Sequence, residues 1–125
     1  MAAISRSPLC GEIWFVQLHV DRPEKGRRPV IIVSLDARNR HDRADTVLAV
    51  PLTTSVHKGA PTHVFLPAGE TGLASDSAAR AEDITVIRKQ SLVEPRGRLW
   101  QLSDKRICEL ARKVSIAMGC GFRSS

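Results

Sequence analysis

The stretch Arg27-Arg28-Pro29-Val30-Ile31-Ile32-Val33 decides the fold, because two basic residues run directly into a short, continuously apolar strand. A strand that is apolar at nearly every position is typical of the centre of a sheet covered on both faces. Pro29 stands at the start of the apolar part, where its missing N–H does least harm. We therefore predict a central strand over residues 29–34 that begins beside a guanidinium pair.

A second apolar stretch, Val47-Leu48-Ala49-Val50-Pro51-Leu52, ends in two hydroxyl residues, Thr53 and Thr54. If this strand lies next to the first one, the guanidinium of Arg28 and the hydroxyl of Thr53 are held near each other at the strand ends. Fixed donors of this kind suit an anionic group such as a phosphodiester. The two stretches therefore predict an anion site at one edge of the sheet.

The remaining pattern predicts a mainly β fold, a small barrel with one C-terminal helix. Residues 13–18 alternate so that apolar side chains fall on both faces of a strand. Further short strands are expected over residues 62–66, 77–81, 84–87 and 98–102, and residues 19–27 form a loop that could act as a lid. From Ser103, a natural N-cap, apolar residues repeat at helical spacing as far as Gly119, where a C-cap is expected.

Length and composition limit the classes of protein that fit. The 125 residues suit one domain, with residues 1–10 as a flexible N-terminal tail. The net charge of +6 fits a polyanionic partner and equally a merely soluble basic protein. The three cysteines form no C-x-x-C pair, so we expect neither a disulfide framework nor a zinc site. Reduced thiols and the lack of a long apolar run predict a protein of the cytoplasm, without a membrane span.

Five short segments follow one another along the chain: Gly11-Glu12-Ile13-Trp14, Arg27-Arg28-Pro29-Val30, Pro51-Leu52-Thr53-Thr54, Leu66-Pro67-Ala68-Gly69 and Asp76-Ser77. In order and spacing they resemble the MazF/PemK family of toxin–antitoxin ribonucleases. The resemblance implies an SH3-like β-barrel that forms a homodimer and cuts single-stranded RNA at short sequences without a metal. It also implies a cognate, MazE-like antitoxin that holds the toxin inactive.

Cleavage without a metal requires the ribose 2′-hydroxyl to attack the adjacent phosphate, leaving a 2′,3′-cyclic phosphate and a 5′-hydroxyl. The resemblance assigns a catalytic role to Arg28, and the Pro-Leu-Thr context favours Thr53 as a donor to a phosphate oxygen. Arg80 and Glu82 share one face if the strand continues through Ala81, and they resemble the Arg-x-acid couple of some family members. The alternatives are ordinary ion pairs of Arg28 and of Arg80, and local backbone bonding by Thr53.

Further residues are candidates for binding the RNA outside the catalytic group. Cations and hydroxyls near the two strand ends are expected to contact the phosphate backbone: Lys25, Arg27, Thr54, His57 and Lys58. Unpaired bases could stack on Trp14, on Phe15 or on an arginine plane, although both aromatic residues are more often core residues.

No cofactor or metal is expected, because the acidic residues are scattered and show no metal-ligand spacing. Two other classes of function stay open at this point. The same barrel resembles toxins that poison DNA gyrase by protein contact, for which Phe122 near the C-terminus is the relevant residue. The second of these alternative classes is a catalytically inactive RNA-binding module.

Overall fold

The computed structural model describes residues 6–17 and 26–120. Within them lie seven strands: β1 (Ile13–Gln17), β2 (Arg27–Ile32), β3 (Thr46–Thr53), β4 (His63–Leu66), β5 (Ser77–Arg80), β6 (Thr85–Arg88) and β7 (Leu92–Val93). Two short helices, α1 (Asp36–Arg40) and α2 (Ala68–Thr71), lie in connections, and a longer helix, α3 (Asp104–Ala117), follows the last strand. The mainly β class with a C-terminal helix is confirmed.

All of the strand pairs are antiparallel, and β2 lies in the middle of the sheet. The order is β4-β5-β3-β2-β1-β7, with β6 also paired to β3. One edge of β3 pairs with β2, whereas its other edge pairs first with β6 and then with β5. Across the described residues the ladder runs from β4 to β7 without closing on itself.

Both faces of the central strands are buried, as the apolar sequence of β2 predicts. Val30 and Ile32 pack with Trp14 and Val16 on one face, whereas Ile31 packs with Ile13 on the other. Burial on two sides holds β2 rigidly, so residues at its ends are positioned by the core.

Helix α3 covers the larger of the two cores. Its N-cap is Ser103, whose hydroxyl accepts a hydrogen bond from the backbone N–H of Arg106. Leu110 is buried against the sheet, and the helix ends before Gly119, which has the positive φ of +86° that favours glycine. Both ends of the helix are thus where the sequence predicts them.

The C-terminal half of the sheet differs from the prediction. Residues 98–102 form no strand but only one isolated bridge, between Glu12 and Gln101, while the short strand β7 was not predicted. Two residues are too few to show an alternating pattern, so β7 gives no periodic signal.

The segment from residue 6 to residue 10, assigned from sequence to the terminal tail, contacts the domain. Pro8 is buried, and the backbone N–H of Leu9 donates to a carboxylate oxygen of Glu12 at 2.7 Å. Glu12 also accepts from Arg6 and from the indole N–H of Trp14, which satisfies its buried charge. None of the described helices has the length and apolar character needed to cross a membrane.

Candidate active site

The ends of β2 and β3 meet at a cavity, which we call the strand-end cavity. Val30 lies opposite Pro51 and Ile31 opposite Val50, so the same register carried two residues further brings Arg28 opposite Thr53. The cavity has a volume of about 540 Å³. Its polar lining includes Arg28, Thr53, Thr54, Ser75, Arg80 and Asp83. The predicted guanidinium and hydroxyl are therefore brought together.

Arg28 is held by the sheet and exposed at its side chain. It is the second residue of β2 and pairs with Val16 of β1, so the basic pair belongs to the strand and not to a preceding loop. No carboxylate within the described ranges lies at ion-pair distance from its guanidinium. The side chain of Arg28 is exposed and lines the cavity, so its guanidinium can reach an anion held there.

Thr53 and Thr54 both line the strand-end cavity, although a continuing strand would have pointed them apart. The strand ends at Thr53, which removes the alternation. The Oγ1 atom of Thr53 accepts a hydrogen bond from the backbone N–H of Ser55 at 3.1 Å, as local turn bonding predicts. Because a hydroxyl also has one hydrogen to donate, Thr53 can still serve as a donor.

The side chains of Arg80 and Glu82 do not share one strand face, contrary to the prediction. Strand β5 ends at Arg80, and residues 81–83 form a 3₁₀ turn. The turn directs Asp83 back to Arg80, whose Nε atom lies 3.2 Å from Asp83 Oδ2. Arg80 and Asp83 line the strand-end cavity together, whereas Glu82 does not.

Glu82 is instead bonded to the start of β4. Its Oε1 atom accepts a hydrogen bond from the hydroxyl of Thr62 at 2.9 Å and lies 3.1 Å from Nε2 of His63. The hydrogen bond from Thr62 lowers the pKa of the Glu82 carboxyl below its ordinary value of 4.5, with smaller contributions from His63 and from the charge of Arg80. These contacts tie the 3₁₀ turn to β4.

The residues predicted to bind RNA are divided among several places. Thr54 lines the strand-end cavity, and Arg27 lines the neighbouring cavity described below. His57 and Lys58 lie beside β4, where the Lys58 ammonium is 5.3 Å from the ring centroid of Phe65, and neither lines the strand-end cavity. Lys25 and most of the predicted lid lie outside the described residues.

Sequence reasoning missed Asp83 as a member of the site. The available signal was its spacing of three residues from Arg80, which is the spacing of side chains that meet in a helical turn. In residues 6–17 and 26–120, no group of three or more His, Cys, Asp or Glu side chains is arranged to hold a metal ion.

The geometry suits a phosphodiester ligand. Two guanidinium groups and two threonine hydroxyls supply donors for anionic oxygens, and a carboxylate within the same cavity supplies a proton acceptor. The donors stand on strand ends or beside them, so the sheet fixes the backbone from which they extend before a ligand binds.

Comparison with known proteins gives a consistent result. A family model described as the PemK-like, MazF-like toxin of type II toxin–antitoxin systems matches residues 9–118. The chain is 38% identical over 95 residues to endoribonuclease MazF9 of Mycobacterium tuberculosis, covering 71% of this chain and 80% of that protein. It is 31% identical over 112 residues to endoribonuclease MazF of Staphylococcus saprophyticus, covering 87% and 89% of the two chains.

A solved structure shows the same fold together with a partner. The fold matches that of a mycobacterial endoribonuclease in complex with its cognate antitoxin, with a TM-score of 0.67 and 26% sequence identity. The match covers 90% of this chain and 96% of that chain.

Proposed function

Because the chain belongs to the family of PemK-like, MazF-like toxins of type II toxin–antitoxin systems, we propose that it cleaves single-stranded RNA without a metal ion. The proposed reaction is attack of a ribose 2′-hydroxyl on the adjacent phosphorus, which expels the 5′-oxygen of the next nucleotide. The expelled oxygen takes up a proton from the solvent. The products are a 2′,3′-cyclic phosphate and a 5′-hydroxyl. The observation that carries the proposal is the strand-end cavity, which Arg28 and Thr53 line together.

In this mechanism Arg28 and Thr53 bind the non-bridging oxygens of the scissile phosphate. The negative charge on these oxygens grows as the pentacoordinate phosphorane forms, so donors fixed beforehand stabilise the transition state more than the ground state. The side chain of Arg28 has no carboxylate partner in the described part of the chain that would have to be displaced.

The proton of the attacking 2′-hydroxyl requires an acceptor, and the chain offers two adjacent carboxylates. We assign this role to Asp83, which lines the cavity and is oriented by Arg80 at 3.2 Å. The role predicted for Glu82 is less well supported, because its carboxylate bonds Thr62 and His63 at the start of β4. Arg80 then adds positive charge beside the phosphate and holds the carboxylate that removes the proton.

The partners follow from the family. A cognate, MazE-like antitoxin is expected, since a related mycobacterial endoribonuclease has been solved in complex with its antitoxin. The net charge of +6 favours an acidic antitoxin segment as well as RNA. We further propose that the toxin is a homodimer and acts in the cytoplasm.

The test is incubation of the purified protein with a long RNA in the presence of EDTA, followed by mapping of the cleaved ends. Cuts that leave cyclic phosphate ends and disappear in Arg28→Ala support the proposal. Binding without cutting indicates an RNA-binding module, and inertness towards RNA indicates a toxin that acts by protein contact. Phe122, the residue relevant to that last class, lies outside the described residues.

A further inference from the structure

A second cavity adjoins the strand-end cavity, and we call it the arginine–tryptophan cavity. It has a volume of about 400 Å³, within the range of sites that bind small molecules. Phe15 and Leu73 line both cavities and so form the wall between them. A ligand held in one cavity can therefore extend into the other around a single apolar wall.

The lining of this second cavity combines apolar surface with flat cationic groups. Ile13 and Val93 contribute apolar surface, while three arginines line the cavity around it: Arg27, Arg96 and Arg98. The guanidinium carbon of Arg98 lies 4.2 Å from the ring centroid of Trp100, so the two groups are stacked. Aromatic rings and guanidinium planes are the surfaces on which unpaired bases stack.

The ring of Trp100 is held in position by the backbone. Gly72 follows α2 with a φ of +74°, and a Cβ atom at this position would lie 2.0 Å from Trp100 Nε1. The indole thus packs directly on the glycine, which only a residue without a side chain permits. Because the fixed indole in turn supports the guanidinium plane of Arg98, that plane loses little conformational freedom when a base stacks on it.

We infer that the arginine–tryptophan cavity binds the unpaired base of a nucleotide next to the scissile phosphate. The inference rests on the proposed function, since a base is expected here only if the strand-end cavity holds the RNA backbone. Three arginines outnumber the carboxylate of Glu94 in this lining. Together with the apolar surface they suit a ligand that is flat and apolar in one part and anionic in the next. A nucleotide has this composition. Trp14, the other tryptophan, is fully buried and offers no such surface.

Binding is tested with a short single-stranded RNA whose 2′-hydroxyls are methylated, so that it cannot be cleaved. A fully abasic strand of the same length is the comparison ligand. We expect the strand with bases to quench the fluorescence of Trp100 and the abasic strand to leave it unchanged. The quenching disappears in Trp100→Phe, because the remaining Trp14 is buried.

The substitution Arg98→Lys keeps the positive charge but removes the flat guanidinium group on which a base could stack. We expect this variant to bind the strand with bases about tenfold more weakly and the abasic strand with unchanged affinity. Arg112→Ala is the matched control, since Arg112 is an exposed arginine of α3 that lines neither cavity.

The inference is overturned if the two strands bind and quench equally, or if Arg98→Lys behaves like Arg112→Ala. It is also overturned if an acidic peptide, and not the strand with bases, quenches Trp100. RNA cleavage is measured separately. Cleavage without base-dependent quenching removes only this inference, whereas base-dependent quenching without cleavage removes only the nuclease assignment.

Discussion

At the scale of single residues, the shape of the Arg28 side chain matters as well as its charge. A guanidinium can donate two parallel hydrogen bonds to a phosphate, which an ammonium cannot do in the same geometry. We expect Arg28→Ala to lower kcat/KM by about 10²- to 10³-fold and Arg28→Lys to recover only a small part of the loss. Steady-state cleavage of a short fluorogenic RNA measures both variants.

The control for this prediction is Arg112→Ala, which removes one positive charge from the exposed face of α3. If the control and Arg28→Ala lose the same activity, the effect comes from overall charge and not from the strand-end cavity. Full activity in Arg28→Lys would show that a point charge is sufficient.

Two neighbouring carboxylates provide a sharper comparison. Asp83 lines the strand-end cavity beside Arg80, whereas Glu82 bonds the start of β4. We expect Asp83→Asn to lower kcat by about 10²-fold or more, since a general base contributes about 10²- to 10⁴-fold. Glu82→Gln is expected to keep kcat close to that of the unmodified protein.

The ratio of the two losses in kcat is the test, because only removal of the general base should carry the large one. At one fixed pH, the loss in Asp83→Asn should exceed that in Glu82→Gln. The reverse pattern would give the role of base to Glu82, the acid of the Arg-x-acid couple that the resemblance implies.

The outcome at these residues shows what a sequence can predict about the site. Arg28 and Thr53 could be predicted as neighbours because each stands at the end of an apolar strand, and the register between two central strands is fixed by their burial. The prediction that Arg80 and Glu82 share one face assumed that the strand continues through Ala81. Residues 81–83 form a 3₁₀ turn instead, so the carboxylate that contacts Arg80 is that of Asp83.

The same contrast holds at the scale of the elements. Strand β2 and helix α3 are long enough for their burial patterns to be visible in the sequence, and both were predicted. Strand β7 is only two residues long, and it forms by pairing with the edge of β1 at Phe15 and Val16. A pairing of this kind depends on the assembled sheet, so local sequence does not reveal it.

The turn between β5 and β6 gives a prediction about stability. In the folded protein the hydrogen bond from Thr62 lowers the pKa of Glu82 below 4.5, so the ionised carboxylate stabilises the fold at pH values above 4.5. This contribution is lost as the pH falls through the lowered pKa. We therefore expect Glu82→Gln to melt below the unmodified protein at pH 7 and the difference to shrink under strongly acidic conditions.

Thermal melting of both proteins from pH 7 downwards measures this effect. Since glutamine keeps an oxygen that can accept from Thr62, the comparison isolates the charge. A difference in melting temperature that stays constant throughout, or that appears only at low pH, would contradict the prediction.

At the scale of the whole molecule, the fold brings five arginines to two adjoining cavities. Arg28 and Arg80 line one cavity and three further arginines line the next, against the carboxylates of Asp83 and Glu94. The net charge of +6 was visible in the composition, but the meeting of these arginines beside one apolar wall depends on how β1, β2 and the segment after β7 assemble.

This distribution predicts how RNA binding responds to salt. Each phosphate of a single strand that is neutralised by the protein contributes a slope of about 0.7 when the logarithm of the affinity is plotted against that of the salt concentration. If Arg28 contacts one phosphate directly, Arg28→Ala should reduce the slope by about 0.7, whereas Arg112→Ala should leave it unchanged. The measurement uses the uncleavable 2′-O-methyl strand, so that binding is separated from cleavage. Equal slopes in the unmodified protein and in Arg28→Ala would mean that the guanidinium in the strand-end cavity makes no contact with the RNA backbone.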